Sequence, residues 1–330
     1  MEYWLPIIYM GAMGLALLVY VILDGYDLGV GMLLPLANDA EKDTMIASIG
    51  PFWDANETWI VLGVGILLIA FPTAHGIVLT HLYLPVTIML MGLMLRGVAF
   101  DLRVKAGDAR KAMWNKAFFL GSLIASMAQG WMLGSFITGL ESTTTNLAFS
   151  LLIALTLPAL YLLLGCGWLL IKTEGSLLTK AIHWARNSML PMGLGLFLVS
   201  IATPLVNPAI AEKWFSFPQF FSLAPIPLLT VACYGAIAYL LRQDNWIYRG
   251  HGWLLYAFTV GICLMASIGL AYSLFPDIII GKLTIWESAA ATESLLFTLV
   301  GVVITVPAIL GYTVFVYRIF RGKAKELSYE

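Results

Sequence analysis

Nine long apolar runs divide this chain, and almost all of its basic residues fall on one side of the zigzag that those runs imply. A helix needs roughly 20 apolar residues to cross a hydrocarbon core about 30 Å thick. Runs of that kind lie near residues 5–23, 57–71, 76–95, 117–140, 147–171, 187–206, 220–241, 252–275 and 294–317. The second is long enough only if it starts near Phe52. With 60% hydrophobic and 11% charged residues and a mean hydropathy of +0.89, the chain is far from a soluble domain, where about a quarter of residues are charged. These features predict an all-α polytopic membrane protein with nine transmembrane helices and no strand.

Nine spans place the connectors alternately on two faces. Lys213 and Lys282 are the basic residues on the face of the N-terminus, and the other 16 of the 18, from Lys42 to Lys325, collect on the opposite face. A missed or invented helix would scramble that division. Cytoplasmic connectors are rich in Lys and Arg, so the N-terminus is expected outside and the C-terminus in the cytoplasm. The first six residues carry no basic stretch and no small-residue cleavage site follows, so the first run reads as a retained helix rather than a removable signal peptide.

Several chemistries find no support. Cys166, Cys233 and Cys263 stand alone in apolar runs without C-x-x-C spacing, which reads as packing rather than a disulfide framework or a zinc site. His75 and His81 fall near one face, His183 and His251 near the other, and none lies deep in a run with a matched partner. The six-residue step from His75 to His81 is about 240° around a helix, so they share no face. No metal site and no haem ligation by this chain are expected. No phosphate-binding glycine motif occurs, and the basic residues mark topology rather than a nucleic-acid surface.

What remains is ionic sequence at the basic ends of the first three runs. Asp24-Gly25-Tyr26-Asp27-Leu28-Gly29-Val30-Gly31 follows the first run. Asp24 and Asp27 are i and i+3, about 60° apart on a helix, so they face one way. Gly25 and Gly29 have the spacing that lets another helix approach closely. Solvation of a helix end by headgroups is the plain alternative, yet it requires no paired acids, and acids oppose the dipole at a helix C-terminus. Carboxyls partly withdrawn from water near one another are suited to relaying protons.

The second run opens with Pro51-Phe52-Trp53-Asp54-Ala55-Asn56-Glu57-Thr58-Trp59. Asp54 and Glu57 repeat the i, i+3 spacing, and the same pattern also serves as a helix cap. Trp53 and Trp59 suit an interfacial aromatic belt. The third run closes with Arg96-Gly97-Val98-Ala99-Phe100-Asp101-Leu102-Arg103. Arg96 can snorkel to the surface and Arg103 can belong to the basic connector, or Arg96 can be the counter-ion of Asp24 or Asp54. Gln129, well inside the fourth run, is expected to hydrogen-bond between helices.

In this order the three clusters resemble subunit II of the cytochrome bd family of quinol oxidases, including its cyanide-insensitive branch. A fourth matching segment, Leu283-Thr284-Ile285-Trp286-Glu287-Ser288, precedes the last run, which carries Pro307 and Tyr312. The chain differs from some members in having Phe52 where they have His and Glu57 where they have Gln. The resemblance spans the whole chain and implies two four-helix bundles plus a peripheral ninth helix, at residues 1–140, 141–290 and 291–330. It implies a bacterial inner-membrane heterodimer in aerobic electron transport. The partner, subunit I, would hold haem b and haem d-type centres and the quinol-oxidising loop, and would reduce oxygen to water. This chain would support assembly, contribute part of a proton path, and be able to hold a quinone among its lipids; a small single-helix subunit would be a further partner. Asp24 would stand at or near the proton entry and Asp54 deeper, close to the haem-bearing subunit; Asp27 and Glu57 are expected in the same path from their i, i+3 spacing to these acids, since no family role transfers to Glu57 or Phe52. Trp53, Asn56, Arg96, Asp101 and Arg103 would be its ionic and structural supports.

Taken without that resemblance, the same acids equally suit a proton-coupled multi-helix transporter. A purely structural scaffold, with the acids as caps, is the third reading. Broken helices at mid-membrane would favour the transporter, whereas Pro225 and Pro227 lie near a helix end.

Overall fold

A computed structural model describes residues 2–105 and 107–324. Its elements are α1 (Trp4–Leu33), α2 (Asp39–Ile49), α3 (Trp53–Ala70), α4 (Pro72–Lys105), α5 (Asp108–Ile137), α6 (Thr144–Lys172), α7 (Gly175–Val206), α8 (Pro208–Phe215), α9 (Gln219–Leu223), α10 (Pro225–Arg242) and α11 (Trp253–Leu274). They are followed by β1 (Asp277–Ile279), β2 (Leu283–Thr284), α12 (Ile285–Ser288) and α13 (Thr292–Ile319). Among the described residues nine helices are long and apolar enough to cross a membrane: α1, α3 to α7, α10 with the short α9 leading into it, α11 and α13.

Turn chemistry sets the ends. Pro35 lies in the 3-10 turn that closes α1, Pro72 and Pro208 open α4 and α8, and the turn after α5 carries Gly139 and Leu140, both with positive φ. Proline supplies no N–H to a helix interior but is tolerated in a first turn. The chain enters α2 through a reciprocal cap in which the Asn38 side chain accepts from the Glu41 N–H and Glu41 accepts from the Asn38 N–H.

Two expectations about these elements need correction. Residues 96–116, which lie between the third and fourth apolar runs, are largely helical rather than a connector, because α4 continues to Lys105 and α5 starts at Asp108. Hydropathy finds lipid-facing sequence, whereas these helix ends carry polar side chains that pack against neighbouring helices. A small antiparallel pair, β1 with β2, also forms where no strand was expected. It is too short to show an alternating pattern, and Asp277 Oδ2 accepting from the Gly281 N–H at 2.8 Å helps to close its turn.

α1 lies at the centre, packed on α3, α5, α6 and α11, while α4 pairs with α5 and α5 with α6. Without a hydrophobic drive between helices in lipid, close backbone contact matters. At the α1–α6 crossing, a Cβ on Gly29 would collide with the Tyr161 carbonyl, and one on Gly165 would meet the Gly29 backbone at 2.6 Å. The expected close approach at Gly29 is therefore real, with α6 as the partner. α13 is the least embedded span, with Leu295 and Val316 as its buried residues.

Candidate functional site

The crossing of α1 with α6 carries Asp24 and Asp27 into the interior, where each is 0% exposed. They do not end a helix in headgroups; α1 runs two further turns to Leu33. Arg96 arrives from α4 on the stripe formed by Gly92, Leu93, Arg96, Ala99, Phe100 and Arg103, spaced three and four apart as one helix face requires. It is 1% exposed, so it does not snorkel. Its Nη2 lies 2.6 Å from Asp24 Oδ1 and also donates to Glu57 Oε1 of α3. Glu57, 26% exposed, is the member nearest the surface of the chain. The counter-ions of Arg96 are thus Asp24 and Glu57, not Asp54.

Charges and hydrogen bonds in this cluster do not balance. Three carboxyls, Asp24, Asp27 and Glu57, face one guanidinium. Asp24 pairs with Arg96 and has the Tyr20 hydroxyl beside it, while Asp27 Oδ1 and Arg96 Nε and Nη1 have no hydrogen-bond partner among the described residues. Moving charge out of water costs several kcal/mol per ion unless it is paired. With one guanidinium for three carboxyls, the site is neutral only when two of the carboxyls carry protons.

Two polar arms leave the cluster. One turn before Asp24, the Tyr20 hydroxyl accepts from Gln129 Nε2 at 2.8 Å, and Gln129 Oε1 accepts from Tyr161 at 2.6 Å. Gln129 thereby ties α1, α5 and α6, as its place in the fourth run suggested. In the other arm Asn56 Nδ2 donates to Asp27 Oδ2 at 2.8 Å and to the Tyr26 hydroxyl at 2.9 Å, while Asn56 Oδ1 accepts from Tyr317 at 3.0 Å.

Aromatic rings close the space beside this arm. Trp168 stacks on Tyr26 at 4.2 Å and donates to the Ser48 carbonyl. Phe52, fully buried, lies 4.6 Å from the Tyr317 ring. Lys172 sits 5.0 Å from both the Phe52 and Trp168 rings and donates to the carbonyls of Phe320 and Gly322, which holds down the chain after α13.

The remaining sequence candidates scatter. Asp54 is exposed and caps nothing, because Phe52 occupies the N-cap position of α3 and no side chain bonds the first turn. Trp53 is half-buried against Phe100 at 5.1 Å, and Asp101 is exposed. Arg103 is buried rather than loose in a connector: it donates to Asp43 at 2.7 Å and to Asn115 at 2.5 Å, joining α4 to α2 and α5. The fourth motif lies outside the cluster, where Thr284 and Glu287 form a capping box and Trp286 stacks on Tyr3. All four histidines are exposed or half-buried. Cys166 and Cys263 are buried, Cys233 half-buried, and all three are free thiols.

Tyr20, Tyr26, Tyr161, Tyr317 and Lys172 were not singled out from sequence. Tyr20 stands four residues before Asp24, and Tyr26 lies inside the acidic motif. The other three come from distant helices and carried no local signal.

Outside the spans, Glu41 holds α2 against α7. It accepts from Lys180 Nζ at 2.7 Å and Ser176 Oγ at 3.3 Å. Burial opposes its ionisation, but the bonds from Lys180, the Asn38 N–H and Ser176 outweigh it and hold the carboxyl below the usual glutamate range. A group lowered on folding stabilises above its unfolded value and loses that contribution as pH falls through its folded value. Protection of the residue 39–49 amides from exchange, relative to their intrinsic rates at each pH, is therefore expected to fall as the pH drops below about 4.3, the ordinary glutamate value. In Glu41→Gln that pH step should vanish; its persistence would assign the tether to another group.

The family model for cytochrome bd terminal oxidase subunit II matches residues 5–320. The cytochrome bd ubiquinol oxidase subunit 2 of Bacillus subtilis is 28% identical over 325 residues, covering 92% of each chain. The cytochrome bd-I ubiquinol oxidase subunit 2 of Escherichia coli K12 is 34% identical over 129 residues, 38% of this chain and 34% of that one. Among solved structures, a chain of the bd oxidase from Geobacillus thermodenitrificans superposes with a TM-score of 0.76 at 17% identity, covering 96% of this chain and 98% of that one.

Proposed function

Since the chain belongs to the cytochrome bd terminal oxidase subunit II family, and is thus the second membrane subunit of a respiratory quinol oxidase, we propose that its buried ion cluster feeds protons to oxygen reduction in the partner subunit. One observation carries this reading: Asp24, Asp27 and Glu57 share one interior site with a single arginine. A water-poor site with three carboxyls for one cation can hold protons, and Asp27 Oδ1 without a partner among the described residues is open to exchange them. The basic face is inferred to be cytoplasmic, which puts the cluster on the side that supplies protons. Glu57, partly exposed, is the entry. Asp54, exposed on α3 beside it, faces the haem-bearing subunit.

Oxidases of this kind depend on haem, which supplies oxygen binding and electron transfer when present. Haem iron takes an axial His, Met, Cys or Tyr facing the macrocycle. Here no histidine is buried, Cys166, Cys263 and the buried Met13, Met32, Met45, Met89, Met189 and Met192 are packed in the apolar helix cores, and the buried Tyr20, Tyr26 and Tyr161 are engaged in hydrogen bonds. These residues do not fit a haem, and we assign the haems to subunit I. Support of assembly, a lodged quinone, a small third subunit, and the division into two bundles near residue 140 with a peripheral ninth helix belong to the same proposal.

Asp24→Asn in the assembled oxidase is expected to slow quinol-driven oxygen consumption by about 100-fold, the low end of what a positioned proton-transfer group contributes. The haem spectrum should stay that of the parent and Asp24→Glu should recover part of the rate. Parent-like turnover of Asp24→Asn at every pH would reject the relay.

A further inference from the structure

We infer that the connector between α7 and α10 lies in the membrane leaflet on the N-terminal face, with Phe215, Phe217, Phe220 and Phe221 seated among lipid chains beneath the headgroups. The inference concerns an interaction surface and stands apart from the proton relay.

The four rings form one patch. Phe220 lies 6.4 Å from Phe215, 6.0 Å from Phe217 and 5.7 Å from Phe221, and Phe217 lies 5.8 Å from Phe221. All four are exposed, Phe217 and Phe221 at 75% and 69%. A contiguous patch of bare rings marks contact with another protein or with a membrane.

The polarity of this connector is inverted for a loop that stands in water. Its strongest donors are spent on the chain itself. Lys213 Nζ donates to the carbonyls of Ser273 and Phe275 at 3.0 and 2.8 Å, Trp214 Nε1 donates to Ser273 Oγ at 2.8 Å, and Asn207 Nδ2 donates to the Ile137 carbonyl at 3.0 Å. These bonds dock α8 on the ends of α5 and α11, and the phenylalanines are left outside.

Depth and continuity say what covers them. Counted back from Arg242, the roughly 20 helical residues needed to cross the hydrocarbon layer end near Leu223. Phe220 and Phe221 therefore stand at the edge of that layer, and Phe215 and Phe217, in contact with them, stand there too. Phe221 also heads the stripe of exposed positions Phe221, Pro225, Leu228, Ala232, Gly235 and Tyr239, spaced four and three apart as one helix face requires. The patch thus continues the face that α10 turns to lipid.

The side chains fit hydrocarbon better than a protein partner. From Trp214 to Leu241 the sequence has no charged residue, whereas a protein interface carries a polar rim. Phenylalanine has no polar tip to leave among headgroups, unlike the tryptophan and tyrosine of interfacial belts. The contact also has a purpose. The buried residues of α10 are Ile237, Leu240 and Leu241, all at its basic end, so lipid contact through the rings would hold the other end in place.

The test places a nitroxide label on Phe217→Cys, Phe221→Cys and, as the control on the same face, the exposed Lys282→Cys, in the intact oxidase in nanodiscs of phosphatidylethanolamine and phosphatidylglycerol. Signal from the native cysteines is subtracted with the labelled parent protein. Accessibility to oxygen relative to a water-soluble nickel chelate is expected to be several-fold higher at both phenylalanine positions than at Lys282. A ratio equal to that of the control would put the rings in water, and labels reached by neither reagent would put protein over them; either result overturns the inference. The unaltered oxidase supplies a second measurement, with lipid carrying a photoactivated diazirine at the acyl-chain carbons nearest the headgroup. Adducts are expected on residues 214–222 as well as on α10, and adducts on α10 alone would overturn the inference as well.

Discussion

Arg96→Leu is expected to cost about 3–5 kcal/mol, the range for breaking a buried ion pair from one side, and so to prevent accumulation of assembled oxidase. Leucine fills much of the space but leaves Asp24 and Asp27, both fully buried, and Glu57 without a cation. Folded proteins hold only about 5–15 kcal/mol in reserve, so a loss of this size reaches the level of protein abundance. Arg96→Lys should recover part of it, because an ammonium restores the positive charge but its shorter stem does not carry it to the point where Arg96 Nη2 meets both Asp24 and Glu57. The measurement is the amount of haem-containing complex purified from membranes and its thermal midpoint. Adding Asp24→Asn and Glu57→Gln to Arg96→Leu should restore stability without restoring turnover, since the penalty lies in the uncompensated charges. Normal yield and midpoint for Arg96→Leu alone would show that the cluster is neutralised by some other means.

Gly29→Val is the second large expected effect. The new Cβ would strike the Tyr161 carbonyl and the Gly165 amide nitrogen, the latter at 2.9 Å. Backbone atoms cannot rotate aside as a side chain can, so α1 and α6 must separate along the turn that holds Asp24 and Asp27. Overpacking of this kind costs about 1–3 kcal/mol, occasionally more, and the separation would disturb both acids. Gly11→Ala and Gly14→Ala on the same helix are the controls, as a Cβ at either meets nothing within 4 Å. They should change stability by no more than about 0.5 kcal/mol, as surface substitutions generally do. Equal midpoints for Gly29→Val and the controls would remove the crossing as the element that sets the acids in place.

Much of this site was legible because lipid makes ionic sequence costly. Asp24, Asp27, Glu57 and Arg96 stood out as charges beside apolar runs, and helical geometry alone puts two aspartates spaced i, i+3 on one face. Their partners were less visible. Glu57 read equally well as part of a cap with Asp54, and nothing in the third run said which acid Arg96 would meet. That depends on the rotation of α4 about its axis, which Gly92 and Gly121 set through close backbone contact. Asp54 illustrates the reverse case, matching a motif yet standing exposed.

Length and polarity along the chain were enough to determine the number of spans, the helical class and the face on which the basic residues gather, because the hydrocarbon layer penalises every departure in the same local way. Tertiary structure alone decided that Arg96 serves Asp24 and Glu57, that Tyr20, Gln129 and Tyr161 continue from Asp24, and that Tyr317 reaches Asn56 across 261 residues. Those contacts join helices far apart in the chain, and their cause is the fit of one helix surface against another, which no stretch of sequence expresses by itself.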